Sequence, residues 1–214
     1  MELYKIAAAN LIGIGKQRLG ILCKNIQGLN SLFEMDIERL SSQCNANKSM
    51  LIKMERKRAL QLAKQQISFN SKYGIKTLFY LDKDYPEQLK ECVDAPVVLY
   101  YKGEIPLNQP KIVSIVGTRK SSFYGKNIVE QFIEQIKDQN ILVVSGLAYG
   151  IDTYVHECCI KHNVATLGVL GHGHHMIYPK SNSSLAKKMC KSGGLLSEFG
   201  IHAELSKYNF PKRN

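Results

Sequence analysis

The sequence predicts an α/β protein: a doubly wound, mainly parallel sheet preceded by a small helical domain. The central stretch carries most of this. Between Lys111 and Gly150, an apolar run from Ile112 to Val116 stops at Gly117-Thr118-Arg119. A helical pattern follows, with Ile128, Val129, Phe132, Ile133 and Ile136 at spacings of three and four. A second apolar run, Ile141 to Val144, stops at Ser145-Gly146. This is strand, loop, helix, strand, loop: one βαβ unit. Both runs are rich in β-branched residues, as parallel strands covered on both faces require. The alternation of strand and helix patterns continues to residue 197, whereas residues 1 to about 43 read as helices throughout.

The elements follow in order. Leu11-Ile12-Gly13-Ile14-Gly15-Lys16 sits between two apolar-periodic stretches and reads as a tight hairpin. Its amides suit a phosphate, as in helix-hairpin-helix motifs that grip nucleic-acid backbone; the plain alternative is a hairpin that only packs. Asn45 to Ser49 suits a cap, and residues 50 to 68 read as one long helix. On that helix Lys53, Arg56, Lys57 and Lys64 fall within one sector, opposite Leu51, Ala59 and Leu62. The sector is either an electrostatic path for nucleic acid or a solvated face.

Gly74 ends that region. Ile75 to Leu81 and Val97 to Tyr101 read as strands, separated by a turn and short helix at Tyr85-Pro86 and Leu89 and a break at Asp94-Ala95-Pro96. After Gly150 come a helix over Ile151 to His162, a strand over Val164 to Leu170, a loop over Gly171 to His175, a helix near Ser183 to Cys190 and a strand from Gly194 to Ser197. We place the domain division near residue 70, giving a helical domain over 1–70 and an α/β domain over 71–214.

The chain of 214 residues carries a net charge of +11, from 29 Lys and Arg against 18 Asp and Glu. That surplus favours polyanions, nucleic acid first. The cysteines show no C-x-x-C spacing, and the vicinal Cys158-Cys159 pair lies in a helical pattern and reads as core. No secretory pattern opens the chain and no apolar run approaches the length of a membrane span, so a cytoplasmic, reducing setting with no membrane partner is expected.

In such sheets ligands bind beyond the carboxyl ends of the strands, where loops enter helix N-termini. Gly117, Gly146 and Gly150 allow close backbone approach there. Thr118, Ser121, Ser122 and Ser145 offer hydroxyls, and Arg119 and Lys120 offer charge. Asp152, in the first helical turn, reads as a loop-fixing or dipole-favoured carboxylate. His172, His174 and His175 lack a fourth ligand nearby and read as a ligand-facing loop; no metal or other cofactor is expected. No paired carboxylates or nucleophile–base pair appear, so no catalytic residue is assigned.

Several blocks, in order, resemble the DprA/Smf DNA-processing family. They are Ile115-Val116-Gly117-Thr118-Arg119; Ser145-Gly146-Leu147-Ala148 with Gly150-Ile151-Asp152; Tyr178-Pro179 with Asn182; Leu195-Leu196-Ser197-Glu198; and Asn209-Phe210-Pro211 with Arg213-Asn214. Asp84-Tyr85-Pro86 and Leu99-Tyr100-Tyr101-Lys102-Gly103 match the family's lead-in. The likeness is strong over about 70–214 and loose before it. It implies a Rossmann-like domain behind a SAM or helix-hairpin-helix-like one. It also implies a non-enzymatic protein that holds single-stranded DNA and helps load the RecA recombinase in natural transformation. The DNA-binding residues it implies are Gly117, Thr118, Arg119, Lys120, Ser145, Gly146, Leu147, Ala148, Lys180, Asn182, Phe210 and Arg213.

The chain departs from the family at Tyr149, where relatives often have Arg, and at His174-His175. Members commonly form homodimers through the later part of this domain. They also continue past the position of Asn214, so a truncated chain with a bare sheet edge and lowered stability is expected. A nucleoside-monophosphate hydrolase of the related Rossmann-like class is a second reading, for which the chain offers Gly193-Gly194 and Glu198; a truncated, inactive relative is a third.

Overall fold

The computed structural model describes residues 1–213. They form two compact units, Met1–Leu99 and a second from Tyr100 onward. The first unit is mainly helical: α1 (Glu2–Ala9), α2 (Lys16–Lys24), α3 (Ser31–Glu34), α4 (Ile37–Cys44), α5 (Lys48–Lys53) and α6 (Arg56–Tyr73) precede β1 (Lys76–Phe79) and α7 (Glu87–Lys90). Strand β2 (Val98–Gly103) begins in this unit, next to β1.

Its helices end where their residues dictate. Asp36 caps α4 by accepting from the Arg39 amide at 2.8 Å, and Asn47 caps α5 through the Ser49 amide. The C-terminus of α6 closes on Gly74 in the left-handed region. Its Ala59, Ala63, Gln66 and Asn70 form the buried stripe, which packs on α1.

The single helix expected over 50–68 is two helices. Met54 is buried and Glu55 takes a left-handed conformation at φ 52, which ends α5 and restarts the chain as α6. Lys53 therefore leaves the sector of Lys57 and Lys64. Arg56 turns inward and donates to the carbonyls of Leu32 at 2.9 Å and Met35 at 2.7 Å. The hairpin at Gly13 and Gly15 is present, with Gly13 at φ 72. The Lys16 ammonium donates to the carbonyls of Lys90 at 2.7 Å and Cys92 at 2.6 Å, where it closes the end of α7.

The second unit holds the rest of β2, then β3 (Ile112–Ser114), α8 (Phe123–Ile136), β4 (Leu142–Ser145), α9 (Ile151–Lys161), β5 (Thr166–Leu170), a 3-10 turn (Lys180–Asn182), α10 (Ser183–Ser192), β6 (Gly193–Ser197) and α11 (Asn209–Arg213). Here the strand order is β2-β6-β5-β4-β3. Strands β3, β4, β5 and β6 run parallel, and β2 is antiparallel to β6, with Tyr100 opposite Ser197. The α/β class and the mainly parallel sheet agree with the sequence.

Because each crossover steps one strand in the same direction, α8, α9 and α10 line up along one face. Val129, Ile133 and Ile136 of α8 meet Val155, Cys158 and Cys159 of α9 over Val143. The vicinal cysteines are thus core residues. His156 of α9 is fully buried; its Nδ1–H donates to the Thr166 hydroxyl, which donates to the Val143 carbonyl. Burial pushes His156 down to about 3, so it stays neutral.

Glu130 ties α8 to α9. It accepts from the Cys158 thiol at 2.9 Å, the Lys161 ammonium at 2.5 Å, the His162 Nε2 at 2.8 Å and the Tyr154 hydroxyl at 3.1 Å. These donors hold its carboxyl well below the usual carboxylate range, the Cys158 thiol most of all. Among the described residues no helix is long and apolar enough to cross a membrane.

Candidate functional site

Three loops leave the carboxyl ends of β3, β4 and β5 and meet beside α11. The first two are stitched together. The Ile151 amide, at the start of α9, donates to the Thr118 carbonyl at 3.1 Å. Gly150, at φ 82, brings its α-carbon so near the Thr118 and Arg119 backbone that any side chain would collide with it. This contact fixes Arg119 at the edge of the second loop.

The second loop is pinned from inside the protein. Leu147 is buried at φ 57 with its side chain in the cluster of Leu170, Ala186, Met189 and Leu195. Its carbonyl accepts from the Asn182 amide at 3.0 Å, and the same Asn182 group reaches the Thr153 hydroxyl at 2.7 Å. Thr153 donates to the Ala148 carbonyl at 2.6 Å, and the Ala148 amide faces the Asp152 carboxylate at 3.4 Å. Asp152 thus fixes the loop. The Ser145 hydroxyl donates to the Ile115 carbonyl at 2.7 Å, across to the first loop.

The guanidinium of Arg213 lies against this loop and donates to the carbonyls of Gly146 and Val169. A side chain at Gly146 would occupy the guanidinium's place. Burial draws Arg213 down from its ordinary value; nearby Asp152 opposes this and Arg119 adds to it. In the third loop, the His172 Nε2 accepts from the Tyr178 amide at 3.1 Å while its Nδ1–H meets the Gly173 carbonyl at 3.0 Å. The His174 Nε2 donates to the Tyr100 carbonyl at 2.9 Å. These histidines hold backbone, and among the described residues no cluster of His, Cys, Asp or Glu is arranged for a metal.

What faces outward is a different set. A narrow cleft lies between Gly146 and Gly171, walled by Arg119, Tyr149, Tyr178, Pro179 and Phe210. The Phe210 ring packs against Tyr178, centroids 5.6 Å apart, and the Arg119 guanidinium carbon stands 5.7 Å from the Phe210 centroid. Arg119, Lys120 and Lys180 are exposed at this rim, as is Tyr149. Thr118 accepts from the Lys120 amide at 3.2 Å, which shapes the cationic turn. The Ser122 hydroxyl caps α8 through the Gly125 amide at 3.1 Å.

The residues singled out from sequence therefore converge on one rim but divide by role. Gly117, Thr118, Arg119, Lys120, Ala148, Lys180 and Phe210 lie at the surface or partly so. Ser145, Leu147, Asn182 and Arg213 spend their side chains on the loops themselves. Asn214, which closes the last sequence block, lies outside the described residues. Tyr178 and Thr153 were not among the sequence candidates. Tyr178 precedes a proline in a block already singled out, which is the signal that marks it.

Comparisons with known proteins give the family. The profile of the family described as DNA recombination-mediator protein A matches residues 76–214. The chain is 40% identical over 142 residues to the DNA processing protein DprA of Bacillus subtilis (strain 168), covering 66% of this chain and 48% of that one. The X-ray structure of DprA from Streptococcus pneumoniae superposes with a TM-score of 0.74 at 31% identity, over 99% of this chain and 71% of that chain. A structure of DNA processing protein A from Helicobacter pylori, concerned with its unique single-stranded DNA binding mode, matches with a TM-score of 0.58 at 26% identity, over 67% of this chain and 64% of that one. The chain spans about half the length of the curated relatives it matches. On the profile match and these identities, the chain belongs to the DNA recombination-mediator protein A family, that of the DprA and Smf proteins.

Proposed function

We propose that this protein binds single-stranded DNA without catalysis and acts as a recombination mediator in the cytoplasm. In this reading it protects incoming DNA and helps load the RecA recombinase in natural transformation. The observation that carries the DNA-binding part is the rim itself: Arg119 stands exposed over Phe210 at the mouth of a cleft bounded by two glycine-bearing loops, flanked by Lys120 and Lys180.

A guanidinium beside an aromatic ring suits a strand that presents a phosphate and an unstacked base together. The cation takes the phosphate oxygens and the ring offers a face to the base. Duplex DNA offers the phosphate but keeps its bases stacked. The net charge of +11 adds a long-range pull toward any polyanion. The membership of the family and the single-stranded DNA binding mode described for the H. pylori relative support the same reading.

Titration of labelled oligothymidine against the full chain tests it. Log affinity is expected to fall linearly with log salt, by about 0.7 per phosphate neutralised. Duplex of equal length is expected to bind more weakly. Equal affinity for both forms, or binding that ignores salt, overturns the proposal.

A further inference from the structure

Helix α10 begins at the cleft and leads away from it. Tyr178 and Pro179 wall the cleft, the 3-10 turn Lys180–Asn182 follows at once, and α10 runs on from Ser183 to Ser192. Its start is fixed to the second loop, because the Asn182 amide holds the Leu147 carbonyl and the Thr153 hydroxyl. At about 1.5 Å per residue the helix covers about 15 Å.

The two faces of α10 differ in kind. Ala186 and Met189 are buried, with Leu185 and Cys190 beside them, against Leu147, Leu170 and Leu195. At about 100° per residue, Ser184, Lys187, Lys188 and Lys191 fall within one sector on the opposite side. All four are exposed, as is Lys180 at the rim. From Lys180 to Ser192 the chain carries four lysines and no acid.

Helix stability does not ask for this arrangement. Lys191 suits the negative end of the helix dipole. Lys187 and Lys188 stand four and three positions before it, spacings at which like charges repel. Among the described residues no carboxylate pairs with Lys180, Lys187, Lys188 or Lys191. Glu157 of α9 and Glu104 beyond β2, acids of neighbouring elements, form no ion pair with them either.

We propose that a single strand held in the cleft continues along α10, its phosphates passing Lys180 and then Lys187, Lys188 and Lys191. This rests on the reading of the cleft as a single-stranded DNA site. A strand gripped at Arg119 and Phe210 has to leave the cleft, and Lys180 puts a cation at one exit. The lysines form a row on a convex helix and not a pocket, which suits the repeated charge of a polymer and not a small anion. No aromatic residue lies between Lys180 and Ser192, so the track neutralises phosphates without stacking bases and is indifferent to sequence. The cleft then anchors the strand, and α10 makes affinity grow with its length.

Oligothymidines of about 4 and about 16 nucleotides, titrated against the full chain at several salt concentrations, test this. Replacing Lys187, Lys188 and Lys191 together by Gln is expected to lower the salt slope for the long oligomer by up to about 2, at about 0.7 per phosphate. Its affinity at about 0.1 M salt is expected to fall about tenfold to a hundredfold. The short oligomer is expected to bind this variant as it binds the wild type. Glutamine keeps the helix propensity at these exposed sites, and Lys188→Glu alone repeats the test by charge reversal. Lys24→Gln, Lys111→Gln and Lys137→Gln together remove the same charge from exposed positions elsewhere and are expected to leave the long-oligomer slope unchanged. An unchanged slope in the α10 variant overturns this proposal alone, as does an equal loss for both lengths or an equal loss from the distant set. A wild-type chain that binds neither oligomer overturns the cleft reading and this proposal with it.

Discussion

The guanidinium of Arg119 and the ring of Phe210, 91 positions apart in the sequence, stand 5.7 Å from each other, measured from the guanidinium carbon to the ring centroid. Charge and aromatic face are thereby presented side by side. Arg119→Ala is expected to lower affinity for oligothymidine by about 1.5–3 kcal/mol, the worth of a charge-assisted contact. Arg119→Lys keeps the charge and so the salt slope, yet loses the planar fork and recovers only part of the affinity. Fluorescence anisotropy at several salt concentrations distinguishes these outcomes, and an Ala variant with wild-type affinity removes Arg119 from the interface.

Arg213 is expected to behave differently from Arg119. Its guanidinium serves the carbonyls of Gly146 and Val169. Arg213→Met leaves those acceptors unserved, at a cost of about 1–3 kcal/mol in folding free energy. Gly146→Ala displaces the same guanidinium by steric conflict and is expected to produce a similar loss. Denaturant melts measure both. If Arg213→Met weakens DNA binding while the melt stays unchanged, Arg213 is a DNA contact and the structural assignment fails.

Glu130→Gln tests the tie between α8 and α9. The wild-type carboxyl is held low by Cys158, then Lys161 and His162, so its folded pKa lies below its unfolded one. Its stabilisation is present above the ordinary carboxylate range and is lost as pH falls through the folded value. The Gln variant is expected to melt lower at pH 7 and to converge on the wild type in acid. Parallel melting curves at all pH values count against this role.

His156 and the half-buried His174 act over a higher window. Burial pushes His174 down to about 4 and His156 to about 3, while an unfolded imidazole titrates near 6.5. The unfolded chain therefore binds more protons between these values, and stability falls as pH drops from about 6.5 toward 4. Each such histidine contributes a slope of up to about 1.4 kcal/mol per pH unit. His174→Gln keeps a donor for the Tyr100 carbonyl and is expected to flatten the profile by one histidine's share. Chemical denaturation from pH 7 to 4 measures this; an unchanged slope places the titration elsewhere.

What was legible in the sequence was periodic or punctuated. The apolar runs at 112–116 and 141–144 with the helical pattern between them became β3, β4 and α8, since period and length choose between strand and helix locally. The glycine loops and their neighbours were legible as a rim for the same reason. The break at Met54-Glu55 was not. Neither residue is a breaker by type, and the chain turns there because Met54 is buried and Arg56 reaches the carbonyls of Leu32 and Met35.

The division of labour within the rim was also hidden. Arg119 and Arg213 look alike in the sequence, each in a motif with small and polar neighbours. One stands exposed over Phe210; the other is drawn into the carbonyls of Gly146 and Val169. Likewise Ser145 and Asn182 carry groups suited to a phosphate and spend them on Ile115, Leu147 and Thr153. By itself the sequence determined the α/β alternation, the basic charge and the loops that follow β3 and β4, because these depend on residues near one another along the chain. Only the tertiary structure decided which polar groups are left to face a ligand, because a hydrogen bond is claimed by whichever partner the packed fold brings within about 3 Å, however distant in sequence.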